Sequence, residues 1–154
     1  MRRRQERGLT LIELIVAFTI MLILTAMAVP LARNKVRAEN ERELRYAQRE
    51  VRLAIDKFKD NCDLGYLGPQ KLGANCYPES LEQLVEGVKL PGPEGKKMRF
   101  LRRIPRDPFT GKNDWGLRSD QDDPDSTSWG GQDVFDIYTK STQKAPDGTS
   151  YSVW

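Results

Sequence analysis

The sequence predicts an α+β fold: a long N-terminal helix whose first half spans a membrane and whose second half packs against a small antiparallel β-sheet head. Three observations predict it. An apolar run extends almost unbroken from Leu9 to Leu31. Behind it, Val36, Leu44, Ala47, Val51, Ala54, Ile55 and Phe58 recur mostly at three-, four- or seven-residue spacing, the period of one helix face. Further on, Val134-Phe135-Asp136-Ile137-Tyr138-Thr139 alternates as a half-buried strand does, and Asp147-Gly148 is a turn signal ahead of Thr149 to Trp154.

The apolar run is 23 residues, about 34 Å of helix at ~1.5 Å per residue, against a bilayer core of roughly 30 Å. It is long enough for one span. Ahead of it stand Met1 to Gly8, with four arginines against one glutamate, a net side-chain charge of +3. A basic start of this kind resembles the opening of a signal peptide. No small-residue cleavage site follows Pro30, however, because Arg33-Asn34-Lys35 opens a polar stretch. Inside the run sits Glu13, and an ionised carboxylate in hydrocarbon costs at least a few kcal/mol unless paired, which marks it as a functional residue.

With its basic leader and apolar continuation, Gly8-Leu9-Thr10-Leu11-Ile12-Glu13 resembles the processing site of a type IV pilin-like prepilin. The resemblance implies that a prepilin peptidase cuts between Gly8 and Leu9 on the cytoplasmic side and that the new Leu9 amine is N-methylated. It puts Glu13 at the family's fifth mature position, and Pro30 at the proline near the end of the first helical segment. Leu9 departs mildly from the more frequent phenylalanine or methionine. The chemistry agrees, since the freed α-amine has a reference pKa of about 7.7 to 8 and is cationic beside a carboxylate. Leu9 and Glu13 share a helix face, so the pair can form within one chain or between staggered neighbours. Pairing between chains sets register, because a misplaced subunit leaves two charges unpaired.

Orientation comes from the processing motif. Arg33, Lys35, Arg37, Arg42 and Arg45 follow the span closely, so the basic-residue count does not place the N-terminus inside. The motif implies a cytoplasmic leader at 1–8, a membrane and filament-core helix at 9–31, an amphipathic continuation at 32–61 and an extracytoplasmic head at 62–154. A helix continuous from Leu9 to Asp60 would be roughly 78 Å long, more than a small domain can bury. Pro30 is its expected weak point, kinking the helix or unwinding the residues before it.

The head has room for one small core. Cys62 and Cys76 are the only cysteines, and in an extracytoplasmic region a disulfide between them is expected, with two free buried thiols as the other reading. Tyr77 to Gly87 reads as a short helix: Ser80 and Gln83 have capping-box spacing, Leu81, Leu84 and Val85 form its apolar face, and Gly87 ends it. A Pro- and Gly-rich linker at 91–95 and a turn-rich segment from Phe100 to Gly111 follow. Strands are expected near Trp115 to Arg118, over Val134 to Thr139 and over Thr149 to Trp154. Trp115, Trp129 and Trp154 read as core and lid packing ahead of an aromatic ligand platform.

Tyr77-Pro78, Leu81-Glu82-Gln83-Leu84-Val85, Ile104-Pro105-Arg106-Asp107-Pro108, Phe135-Asp136-Ile137-Tyr138, Asp147-Gly148 and Trp154 occur in the order found in the major pseudopilin of type II secretion, which the head resembles. That resemblance implies a subunit that polymerises with itself into a periplasmic pseudopilus, driving export of folded proteins across the outer membrane. It implies a single-pass protein of the bacterial inner membrane. Its implied partners are minor pseudopilins, the prepilin peptidase and methyltransferase, and an inner-membrane platform with a cytoplasmic ATPase. A type IV pilus subunit for adhesion, motility or DNA uptake, and a minor initiating pseudopilin, are the alternatives. Family members of the secretion type commonly bind calcium in an acidic loop near the C-terminus, yet Asp147-Gly148-Thr149-Ser150-Tyr151 lacks the run of acids seen there. Asp120, Asp122, Asp123 and Asp125 form a separate acidic loop with hard oxygen ligands suited to calcium, without EF-hand spacing; a solvated acidic loop is the other reading.

Composition excludes other classes. The chain has no histidine, and no serine or cysteine sits in a nucleophile motif with a base, so no enzyme is expected. Two cysteines without histidine also make a zinc site improbable on chemical grounds. Loss of residues 1–8 leaves 21 basic and 21 acidic side chains, a balance that gives no reason to expect nucleic-acid binding.

Overall fold

A computed structural model describes residues 10–69, 75–92 and 95–154, with backbone alone at 27–29. Two units are present, one ending at Glu39 and one running from Asn40 to Trp154. Helix α1, Leu11–Asp63, contributes to both. Pro30 stays inside it, and the residues ahead of Pro30 are helical, so of the two expected responses, a kink or unwinding, the helix does not unwind there.

In the first unit α1 is apolar and uncovered. Leu11, Ile12, Phe18, Met21, Leu22 and Leu24 are each more than half exposed. The hydroxyls of Thr19 and Thr25 donate to the carbonyls of Ile15 and Met21, so these polar groups are satisfied inside the helix, as a hydrocarbon environment demands. Among the described residues this is the one helix long and apolar enough to cross a membrane. Val36, counted with the apolar face in the sequence, is 61% exposed in this unit; that face begins at Leu44.

In the second unit α1 buries Leu44, Ala47, Val51, Ala54, Ile55, Phe58 and Cys62, one face at helical period. Each large side chain on it contributes about 1.5–3 kcal/mol through burial. Against this face lie Leu67, Leu81, Leu84, Leu101, Trp115, Val134, Ile137 and Tyr151. A disulfide joins Cys62, in the last turn of α1, to Cys76. By closing a short loop it contributes about 3 kcal/mol under the chain-entropy account.

Helix α2 covers Leu81–Glu86, as the apolar spacing predicts. The capping box does not form, because Gln83 reaches past the N-cap residue to the one before it. Ser80 occupies the N-cap position without a side-chain cap bond, while the Gln83 side-chain oxygen accepts the Glu79 N–H at 2.8 Å. Gly87 ends the helix at φ 80°, where a Cβ would also strike the Met98 carbonyl. On either side of the linker, β1 (Val88–Lys89) pairs antiparallel to β2 (Lys97–Met98). Pro93 and Glu94 of that linker lie outside the described residues.

The second antiparallel pair is β3 (Gly116–Arg118) with β4 (Asp136–Tyr138), both inside segments expected to be strands. Gly116 faces Tyr138 in register, and any Cβ there would strike the Tyr138 ring. The third expected strand is absent: Tyr151–Val153 is a 3₁₀ turn, and this segment keeps one isolated bridge, Lys144 to Ser150. Burial explains the difference. A strand would send Tyr151 and Val153 to the same face, whereas Tyr151 is fully buried and Val153 is half exposed. A 3₁₀ turn instead stacks residues three apart, bringing the Trp154 ring edge-on to Tyr151 at 4.8 Å.

The turn-rich segment before β3 is organised by a buried aspartate. Asp107 accepts the Phe109 N–H at 2.9 Å on one carboxylate oxygen and the Thr139 hydroxyl at 2.5 Å on the other. Trp115 packs in the core and donates its ring N–H to the Pro105 carbonyl. The two prolines of Ile104-Pro105-Arg106-Asp107-Pro108 thus flank an internal polar anchor.

Candidate functional site

The first candidate lies at the start of α1. Thr10 precedes the helix, and its hydroxyl accepts the Glu13 N–H at 3.4 Å while its carbonyl accepts the Leu14 N–H at 3.2 Å. Thr10-Leu11-Ile12-Glu13 therefore has the spacing of a capping box, a sequence signal that the charge argument passed over. Glu13 sits in the first turn, where the helix dipole favours a carboxylate by about 0.3–1 kcal/mol. Its side chain is exposed, and no hydrogen bond or ion pair joins the carboxylate to another described residue. Gly8 and Leu9 lie outside the described residues. Pro30 is exposed within the same helix.

The second candidate is the acidic loop of the head. Asp122 is used structurally: one of its carboxylate oxygens accepts the N–H groups of Ser119 at 2.8 Å and Gly130 at 3.1 Å. Asp120 accepts the Asn75 side-chain amide at 2.7 Å, tying the loop to the residue beside the disulfide. Asp123 and Asp125 are exposed. The four aspartates do not gather into a metal-holding group, and no set of three acidic, cysteine or histidine side chains among the described residues does.

Two residues that the sequence reading did not select organise this loop. Arg118, 5% exposed, donates to the carbonyls of Ser126 at 2.9 Å and Ser152 at 3.0 Å. Its guanidinium lies 4.4 Å over the Tyr138 ring and 3.7 Å from Asp136. Tyr138 in turn donates to the Thr127 carbonyl, so the β3–β4 pair holds the loop from below. Asp133 is fully buried; it accepts the Asp120 N–H at 3.1 Å on one oxygen, and the other has no partner. The sequence signal available for both was a polar residue at a strand end, too common to single out.

Burial pushes the Asp133 carboxyl above its ordinary pKa, and the neighbouring Asp120 carboxylate adds to the rise against the opposing Asp120 N–H. The folded chain thus holds this proton to higher pH than the unfolded chain does. Stability from Asp133 is present below the unfolded pKa and is lost as pH rises through the folded value. Asp133→Asn, which keeps the acceptor and removes the charge, is expected to raise stability by about 1 kcal/mol at neutral pH. That gain should vanish in acid, as followed by thermal unfolding across a pH series; a variant less stable than the parent at neutral pH would contradict the assignment.

Residues 3–29 match the family model described as the prokaryotic N-terminal methylation motif. The chain is also similar to the type II secretion system core protein G of Klebsiella michiganensis, 30% identical over 118 residues that cover 72% of this chain and 73% of that protein. No solved structure matches the chain significantly.

Proposed function

Because the chain belongs to the prepilin-like family of the type II secretion core protein G, the major pseudopilin, we propose that it polymerises into the pseudopilus of a type II secretion system and helps to move folded proteins across the outer membrane. It is a non-catalytic, pilin-type structural subunit. The observation that carries the finer reading is the extent of the match, because 118 residues cannot fit within the methylation motif at 3–29 and must run into the head.

In this reading the peptidase releases residues 1–8, the Leu9 amine is methylated, and α1 anchors the subunit in the inner membrane with the head in the periplasm. Glu13 then meets the Leu9 amine of a neighbour. Its exposed carboxylate at the start of an uncovered apolar helix supports this pairing. Pro30 lacks an amide hydrogen, which leaves one carbonyl of the preceding turn open and the helix locally easier to bend as subunits leave lipid for the filament.

Deleting the gene and scoring secretion and surface fibres separately tests the assignment. Specific folded proteins should accumulate in the periplasm while twitching and surface pili persist. Loss of pili or adhesion with normal secretion would assign the subunit to a type IV pilus instead. Mass spectrometry of the membrane-extracted protein should find a methylated Leu9 terminus, and an intact Met1 terminus in cells with an active peptidase would exclude the processing.

A further inference from the structure

The resemblance of the head implies a calcium ion in the loop ahead of the final residues, and the donors there do not fit one. Calcium takes six to eight oxygens, usually with several carboxylates among them. From Lys140 to Trp154 the chain supplies one carboxylate side chain, Asp147, together with two lysines. One Asp147 oxygen already accepts both the Thr149 N–H at 2.9 Å and the Thr149 hydroxyl at 2.7 Å. These bonds, with a smaller contribution from Arg45, hold its carboxyl below its ordinary pKa. A cation therefore stands near the place a metal would require.

We propose that segment 144–154 is locked without a metal, by a side-chain clamp from α1 that grips Trp154. Three successive positions on one face of α1 form the clamp. The Arg45 guanidinium lies 4.3 Å over the Trp154 ring. Gln48 and Arg52 both donate to the Trp154 main-chain oxygen, at 3.3 and 3.2 Å. Arg52 is itself held by a two-pronged contact with Asp136, at 2.6 and 3.1 Å, so the clamp is fixed to β4. The other side of the segment is closed by the Trp154 ring N–H on the Thr149 hydroxyl and by the Ala145 N–H on the Thr149 carbonyl. Tyr151, stacked on Phe109 at 4.2 Å, donates its hydroxyl to Glu41 at 2.6 Å. Spacing of three and four residues puts Arg45, Gln48 and Arg52 on one helix stripe, which is why a helix can deliver all three to one target.

The clamp replaces what an ion would do: it joins the final turn to the rest of the head through charge-assisted bonds. The clamp would serve a pseudopilus subunit and a pilus subunit alike.

The test uses the full chain in detergent micelles. Thermal unfolding in millimolar calcium and in excess chelator should give midpoints that agree within about 1 °C, whereas a saturated ion site would raise the midpoint by several degrees. Trypsin cleavage after Lys144, followed by mass spectrometry, should be equally slow in both conditions. Arg45→Ala, at an exposed position, and Arg52→Lys, which keeps the charge and loses the fork, should each speed that cleavage severalfold with or without calcium. A calcium-dependent midpoint, calcium-dependent protection of Lys144, or unchanged cleavage in both variants would overturn the proposal.

Discussion

Glu13→Ala is expected to leave membrane insertion intact and to reduce filament yield by about tenfold or more, the factor that ~1.4 kcal/mol represents at a single contact. Removing a carboxylate makes the apolar helix easier to insert, so extraction of the protein from membranes should be unchanged. The same change removes the partner that the Leu9 amine of a neighbour needs, leaving that amine charged and unpaired at hydrocarbon depth. Glu13→Gln separates charge from shape: it preserves the side-chain outline and the helix start at Thr10, and should fail to assemble as the alanine variant does. Crosslinked polymer at parental yield in either variant would show that Glu13 serves only the helix terminus.

Arg118→Met should destabilise the head by about 3 kcal/mol, because it strips two partly buried carbonyls of a charge-assisted donor and removes one of the cations facing Asp136. For a chain of this size that is a fall of roughly 10 °C in unfolding midpoint. Arg52 continues to hold Asp136, which keeps the loss below that of an isolated buried charge. Arg118→Lys should recover little, since an ammonium cannot reach Ser126 and Ser152 together from one planar fork. A midpoint within about 2 °C of the parent would mean that the loop does not depend on the guanidinium.

What the sequence disclosed followed from periodicity. The stripe from Leu44 to Phe58 repeats at helical spacing and is the face that packs, and Leu81, Leu84 and Gly87 set the extent of α2 in the same way. The alternation around Ile137 located β4. Alternation misled at Tyr151, where residues three apart share a surface and a strand reading assigns them to opposite ones. The acidic loop could be found by composition, but its working could not: four adjacent aspartates read alike, and only the fold shows that Asp122 accepts two N–H groups while Asp123 and Asp125 face solvent. Asp133 and Arg118 owe their roles to neighbours brought in from other elements, which no local spacing encodes. Val36 shows the converse limit, an apolar residue in phase with the stripe that lies in the other unit.

The bonds that secure Trp154 and Tyr151 have a consequence for the order of events at the ribosome. Glu41 waits for Tyr151 across 110 residues, Gln48 for Trp154 across 106, and Arg52 for Asp136 across 84. At roughly 5–20 residues per second, translation separates these partners by about 5–20 s. Once the stripe from Leu44 to Phe58 has been made, Leu67, Leu81, Leu84, Leu101 and Trp115 follow it in turn, while Val134, Ile137 and finally Tyr151, which complete its cover in the finished head, come last. A nascent chain paused before Val134 therefore carries an incompletely covered hydrophobic helix face, and closure of the head is a late step that waits for Tyr151 and Trp154.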